Sequence, residues 1–174
     1  AIAQGLSGFD AGDHRIQAVA RKNDILWIND SKATNPHAAD ASLAAFTRVV
    51  WIAGGLSKGV DYEDLVAKHA HRLAKVLLIG TDTAGLIEAL SSKAPDVEVI
   101  NVTAEAQNAD GAAPSGTQVM TRAVYKAAEI AQPGDTVLMA PAAASMDQFS
   151  SYAQRGNAFI SAVSDLMDRA DEGN

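Results

Sequence analysis

Three short segments concentrate residues able to act on an anionic ligand. The first, Asn29-Asp30-Ser31-Lys32-Ala33-Thr34-Asn35, sets an acid, a base, two hydroxyls and two amides between an apolar run and Pro36. Asn35-Pro36 reads as a helix start, with Asn as cap and Pro at the first helical position. The unpaired N–H groups and positive dipole end there suit a carboxylate or a phosphate. Lys32 adds a point charge, while Asp30 has three uses open to it: a ribose hydroxyl, a metal, or Lys32 itself. The competing reading is a polar loop in which Asn35 caps and Asp30 salt-bridges Lys32. The second segment is Gly54-Gly55-Leu56-Ser57-Lys58-Gly59. Paired glycines let the backbone approach a ligand closely, and Lys58 is free to reach it; the alternative is a tight turn with a solvated lysine. The third, residues 141–149, is rich in small residues and places Ser145 where it either bonds a carboxylate or caps a helix. Tyr152 follows, on what reads as an apolar stripe. Arg15, beside His14 ahead of the first strand, reads on its own as a surface charge.

Other chemistries are excluded by composition and spacing. No segment supplies the G-x-x-x-x-G-K-[ST] phosphate loop: residues 54–59 lack the spacing, and residues 80–85 are followed by Leu86. His69 and His71, two apart, face different ways on a helix, and with no cysteine in the chain a metal site is not expected. Ser31, Ser57 and Ser145 have no neighbour that marks a nucleophile–base pair. Across 174 residues the formal charge is -7, with 48% hydrophobic and 20% charged residues. That balance fits one domain with a real core and opposes nucleic acid or an anionic membrane as partner, because both demand clustered Lys and Arg. An anionic ligand must be held by a few placed cations and backbone amides. Apolar runs at 49–53, 76–79 and 137–140 are of strand length, far below a membrane span. No charged segment followed by an apolar one opens the chain, so nothing signals export. Ala1 is what methionine removal or an excised domain would leave.

The elements that must position these loops alternate strand with helix. Residues 15–20 and 25–29 flank the polar turn 21–24, giving a β-hairpin or two successive strands. A helix from Pro36 carries Ala39, Leu43 and Phe46 at helical spacing. Strands are expected at 48–53, 75–79, 97–102 and 136–140. Asp61 and Asp82 are expected to cap helices, and Ser115 with Gln118 to form a capping box, a pattern that Ser145 and Gln148 repeat. Residues 105–116 read as an exposed loop. The last helix carries Phe149, Tyr152, Gly156, Phe159, Val163 and Leu166 along one face, and residues 168–174 read as a frayed tail. This alternation implies βαβ units in a Rossmann-like, mostly parallel α/β sheet flanked by helices, with an N-terminal β-hairpin or antiparallel edge strand. Ligands of such sheets bind beyond the carboxyl ends of the strands, where all three segments fall. A phosphate-accepting receiver domain needs an acidic pair after its first strand and an Asp after its third, and Asn29-Asp30, Gly80 and Thr103 do not supply them. A stand-alone dinucleotide-binding domain needs G-x-G-x-x-G, which is absent.

Taken together, His14-Arg15-x-Gln17, residues 29–35, Gly54-Gly55-x-x-Lys58-Gly59, and Pro141-Ala142-x-Ala144-Ser145-x-Asp147-Gln148-Phe149 with Arg155-Gly156 resemble the Mur ligases of peptidoglycan synthesis. The order and spacing match from about Asp13 to Phe159, and the run from Asn29 selects the members that add D-glutamate over the sister ligases. The resemblance implies that residues 1–174 are the C-terminal, amino-acid-binding domain, without the N-terminal and central ATPase domains of a full-length enzyme. It implies a monomeric, cytoplasmic ligase using ATP and Mg2+, UDP-N-acetylmuramoyl-L-alanine and D-glutamate, with this domain inactive by itself. Thr34, Lys58, Ser145 and Tyr152 correspond to residues around D-glutamate; Arg15, Asp30 and Lys32 correspond to residues near the nucleotide and its phosphates. Tyr152 stands where the family commonly has Phe, Ala143 where Cys is frequent, and Gln17 where Glu is frequent.

Overall fold

In the computed structural model, which describes residues 13–107 and 110–172, six strands form one sheet in the order β1-β2-β6-β3-β4-β5. The strands are β1 (Gln17–Lys22), β2 (Ile25–Asn29), β3 (Val49–Ala53), β4 (Leu73–Leu78), β5 (Glu98–Asn101) and β6 (Thr136–Met139). The helices are α1 (Pro36–Ala44), α2 (Glu63–His69), α3 (Ala84–Lys93), the single turn α4 (Val102–Glu105), α5 (Gly116–Ile130) and α6 (Tyr152–Glu172). Only β1 runs antiparallel, paired to β2; the other neighbours are parallel. The N-terminal pair is therefore both a hairpin and the antiparallel edge. Its turn is the two residues Asn23 and Asp24, at φ 56 and 61. Both are left-handed, as the tight hairpin turn that matches strand twist requires, and Asn and Asp tolerate this better than most residues.

The central strands are buried on both faces, as parallel strands must be when helices cover each side. Alternate residues sort to opposite cores. Val49, Trp51, Val76, Leu78 and Leu138 meet Leu43 of α1, Leu65 and Val66 of α2, and Leu86 and Leu90 of α3. Val50, Ile52, Leu77, Val137 and Met139 meet Val119 and Met120 of α5 and Phe159 and Val163 of α6. The chain leaving β6 thus turns to one face of the sheet, while the chains leaving its neighbours β2 and β3 turn to the other. Diverging exits open a crevice at the carboxyl end of β6, the switch point where α/β sheets bind ligands.

Several local signals behave as expected. Asn35 Oδ1 accepts from the Ala38 N–H at 2.9 Å with Pro36 beginning α1. The Ser115–Gln118 capping box has both its bonds, at 3.1 and 2.8 Å. Others are corrected by tertiary competition. Asp61 accepts from the Glu63 N–H at 2.9 Å, but the residue at the helix entrance is Tyr62, whose ring is buried. Asp82 accepts from the Ser57 hydroxyl at 2.7 Å, and α3 is entered through Thr83 without a side-chain cap. Ser145 and Gln148 form no capping box. The last helix starts at Tyr152, where Ser151 Oγ accepts from the Gln154 N–H at 3.0 Å. Phe149 precedes that helix, and Tyr152 is 37% exposed, so it is not part of the apolar stripe. The expected frayed tail is helical through Glu172, with Asp171 bonded to Lys22 at 2.7 Å; residues 173–174 lie outside the described residues. The strand expected to reach Val102 ends at Asn101, which caps α4 by accepting from the Ala104 N–H at 3.1 Å. In the loop expected at 105–116, residues 108–109 are not described, and α5 starts at Gly116.

Candidate functional site

The three chemistry-bearing segments are tied to one another by backbone. Leu56 and Ala144 exchange N–H···O bonds of 2.9 and 3.1 Å, an isolated antiparallel bridge that zips residues 54–59 to residues 141–145. The Ala142 N–H donates to the Ala33 carbonyl at 2.9 Å, joining the same strip to the first loop. The close approach needs glycine: a Cβ on Gly80, at φ 89, would run into the Gly55 backbone, and one on Gly55 into the Ala144 carbonyl. Tyr62, held under the strip, donates its hydroxyl to the Ala142 carbonyl at 2.9 Å. Burial, and then the nearby Asp82, push its phenol up to about 12, so it stays a donor at neutral pH.

Within this frame Thr34 is half-buried between Ala33 and the α1 cap, and Ser145 is buried one residue past the bridge. Lys58 is exposed on the turn between Ser57 and Gly59 at φ 55, a left-handed conformation unfavourable for lysine. No hydrogen bond or ion pair links Lys58 to Thr34, Ser145 or Tyr152 among the described residues; the loops are tied through their backbones. Lys32 is exposed and sits 5.7 Å from the centroid of the Tyr152 ring, within cation–π range. The His14 ring meets the edge of Tyr152 at 6.2 Å between centroids. Asp30 does not salt-bridge Lys32. It is buried and accepts from the Ile16 N–H at 3.2 Å. Burial raises its carboxyl above the usual range of about 3.8, against the opposing pull of that N–H and of exposed Arg15. Asp30, Lys32 and Thr34 therefore lie on the first loop, with Arg15 beside it through the Lys32 N–H to His14 carbonyl bond of 3.0 Å; Ser145 lies on the zipped strip, Lys58 at its end, and Tyr152 beside Lys32.

Sequence reasoning missed the interior of this edge. Asn29 is fully buried and donates from Nδ2 to His14 Nδ1 at 2.8 Å and to Gln17 Oε1 at 3.0 Å, while its Oδ1 accepts from the Ser31 N–H at 3.1 Å. Gln148 accepts from the Gly80 N–H at 3.0 Å and donates to Thr103 at 3.2 Å. Arg155 is buried and donates to Ser31 and Ala143. Its signal was present: Arg155, Phe159 and Val163 recur at i, i+4 and i+8, a cation on an otherwise apolar row. A concavity of about 620 Å³ lies elsewhere, flanking β5 and α5 and lined by Ile100, Val102, Thr121, Arg122 and Tyr125. It carries neither the switch-point position nor the loop network, so the crevice beside β6 is the candidate site. Among the described residues no three carboxylate or imidazole side chains cluster as metal ligands, and no helix is long and apolar enough to cross a membrane.

A profile of the family described as "Mur ligase, glutamate ligase domain" matches residues 14–143. Curated relatives named UDP-N-acetylmuramoylalanine–D-glutamate ligase are 47% identical over 93% of this chain in Mycobacterium avium (strain 104) and 48% over 94% in Mycobacterium tuberculosis (strain ATCC 25618 / H37Rv). The chain spans only 36% and 37% of those relatives' lengths. In fold it is similar to the crystal structure of a UDP-N-acetylmuramate-alanine ligase from Thermotoga maritima, with TM-score 0.51, 12% identity, and coverage of 94% of this chain and 33% of that one. A bifunctional folylpolyglutamate synthase/dihydrofolate synthase from Yersinia pestis CO92 gives 0.50 at 18% identity over 88% and 32%. The profile match across most of the described chain, together with close relatives covering nearly all of it, establishes that the chain belongs to the Mur ligase family, within its glutamate ligase domain.

Proposed function

We propose that this chain is the C-terminal third of a monomeric cytoplasmic ligase that joins D-glutamate to UDP-N-acetylmuramoyl-L-alanine at the expense of ATP. One observation carries the reading: the Leu56–Ala144 and Ala33–Ala142 ties draw Thr34, Lys58 and Ser145 to a single sheet edge, with no carboxylate paired to Lys58 among the described residues. D-glutamate brings two carboxylates. One lysine, two hydroxyls and the N–H groups at the start of α1 complement them, in a chain whose net charge of -7 otherwise repels anions. Tyr152 supplies the aromatic wall. The 47–48% identity to relatives named for D-glutamate supports the choice of amino acid.

In the reaction, ATP phosphorylates the muramoyl-L-alanine carboxylate to an acyl phosphate, releasing ADP. The D-glutamate amine then attacks the acyl carbon, and phosphate leaves as the amide forms. The sequence has no phosphate loop, so nucleotide and Mg2+ are assigned mainly to the rest of the enzyme. Mg2+ when bound neutralises phosphate charge. Arg15, Asp30 and Lys32 contribute contacts at the nucleotide's edge, and this domain's own work is to hold D-glutamate by its carboxylates and to exclude water when it closes.

The test is Lys58→Ala in the full-length enzyme. A lost hydrogen bond to a charged group is worth ~1.5–3 kcal/mol, which raises the KM for D-glutamate roughly 10- to 100-fold, while the KM for ATP stays near that of the parent. An unchanged KM for D-glutamate overturns the assignment. The chain by itself is expected to show no ATP-dependent ligation.

A further inference from the structure

The proposed chemistry leaves one buried charge unused. Arg155, on the first turn of α6, is 1% exposed and has no carboxylate within ion-pairing distance among the described residues. Its guanidinium donates from Nε to Ser31 Oγ at 2.9 Å, from Nη2 to the Ser31 carbonyl at 2.8 Å, and from Nη1 to the Ala143 carbonyl at 3.0 Å. The Ser31 hydroxyl in turn donates a hydrogen bond to the Tyr152 carbonyl at 2.6 Å. Burying a cation on neutral acceptors is costly, and burial pushes this guanidinium down to about 10, despite Asp147 nearby. Packing alone would be served by an apolar side chain, as at Phe159 and Val163 on the same row.

The acceptors explain what the cation does. Ser31 lies between Asp30 and Lys32, the part of the first loop assigned to the nucleotide, three residues ahead of Thr34. Ala143 lies two residues before Ser145 on the strip assigned to D-glutamate. The two loops leave β2 and β6 toward opposite faces of the sheet, tied by the Asp30 N–H to Met139 carbonyl and Ala142 N–H to Ala33 carbonyl backbone bonds. The rigid planar fork of Arg155 adds a side-chain clamp on both loops between and beyond those ties. Neighbouring packing is tight: a Cβ on Gly156, the next residue, would run into the His14 ring at Nδ1, the atom that Asn29 Nδ2 meets at 2.8 Å.

We propose that Arg155 is a positioning residue that holds the nucleotide-facing and glutamate-facing loops in register, so that binding at one site is linked to binding at the other. This rests on the functional reading above and adds a thermodynamic coupling to it. When the fork is lost, the loops sample separations that bind neither ligand well, and each apparent affinity falls by the fraction still competent. A ligand that restores the register at one loop restores it at the other.

The experiment uses the full-length enzyme carrying Arg155→Lys, Ser31→Ala or Lys58→Ala. KM is measured for D-glutamate and for ATP, and the Kd of a non-hydrolysable ATP analogue is measured with the nucleotide-sugar present, without and with saturating D-glutamate. Lysine keeps the charge but cannot span Ser31 and Ala143 together. Arg155→Lys is expected to raise both KM values about tenfold or more, and saturating D-glutamate to draw the analogue's Kd back toward the parent value. Ser31→Ala, which spares both carbonyl acceptors, shows the same pattern more weakly. Lys58→Ala raises the KM for D-glutamate alone. A rise in only one KM for Arg155→Lys, or a loss of kcat or of folded protein with both KM values unchanged, overturns the coupling. If Arg155→Lys does not fold, Ser31→Ala decides on the same criteria. If Lys58→Ala leaves D-glutamate use intact, the amino-acid assignment falls; if Lys58→Ala behaves as expected and the Arg155 pattern does not, only the coupling falls.

Discussion

The two ends of the sheet treat charge in opposite ways. At the amino ends of the strands, cations and carboxylates are paired: Arg48 with Asp135 at 2.6 Å ahead of β3 and β6, Lys75 with Glu98 at 2.6 Å across β4 and β5, and Arg21 with Asp24 at 3.4 Å in the hairpin turn. At the carboxyl ends the carboxylates are satisfied by neutral donors instead. Asp30 takes the Ile16 N–H, Asp82 the Ser57 hydroxyl, and Asp147 the Thr81 N–H and hydroxyl. Arg15, Lys32 and Lys58 are in no ion pair among the described residues. The first arrangement closes a surface; the second leaves local positive charge on an acidic chain, where an anion can find it. Positive φ occurs at both ends but in different residue types: at the amino end it falls on Asn23 and Asp24, which tolerate it, and at the carboxyl edge on Lys58 and Ala142, which do not.

Substitutions at the two ends should separate cleanly. The largest effect is expected for Gly80→Ala, which combines a positive φ of 89 with a collision against Gly55. A loss of about 4 kcal/mol or more is anticipated, read in thermal or denaturant melts, together with loss of D-glutamate use in whatever still folds. A near-parental melt would mean that the crevice tolerates being prised open. Arg48→Ala comes next. It strips the partner from Asp135, whose side chain is 2% exposed, although Arg48 itself is 57% exposed. A cost of about 1–2 kcal/mol follows, with both KM values unchanged; a rise in either would tie the far end to function and break the comparison.

Asp30→Asn is the smallest in stability and opposite in sign. Because folding raises the Asp30 pKa, its contribution is fully present below the unfolded value of 3.8 and is lost as pH rises through the higher folded value. The ionised carboxylate is therefore a burden at neutral pH. Asparagine keeps an acceptor for the Ile16 N–H and should raise the Tm at pH 7, with the advantage shrinking on acidification, while ATP use worsens. A lower Tm at pH 7 would show that the carboxylate is stabilising and that this edge is not held at a cost.

Much of the fold was legible because its signals are local. Short apolar runs of strand length marked β3 and β6, Asn35-Pro36 marked α1, and Ser115 with Gln118 marked α5. Ser145 with Gln148 shows where legibility ends. The same residue pair at the same spacing forms no cap, because the Gly80 N–H and the Thr103 hydroxyl, 68 and 45 residues away, compete for the glutamine. Asp82 is diverted from its helix by Ser57 in the same manner. At the site, the loops that carry Asp30, Lys32, Thr34, Lys58 and Ser145 could be chosen by residue type and spacing, whereas Arg15 read alone as a surface charge and entered only through the family resemblance. Tyr152 was found but misplaced on an apolar stripe, and Arg155 was quoted in a motif without a role.

The amino-acid sequence by itself determined the alternation of strand and helix, the set of loops at the carboxyl edge, and the chemical inventory those loops bring. Each depends on propensity, periodicity and turn chemistry within a few residues. Only the tertiary structure decided the insertion of β6 between β2 and β3, the zipping of Leu56 to Ala144, and the inward turn of Arg155 onto Ser31 and Ala143. Those contacts join residues far apart in the chain, and they form because buried polar groups must find partners that only the packed sheet brings within reach.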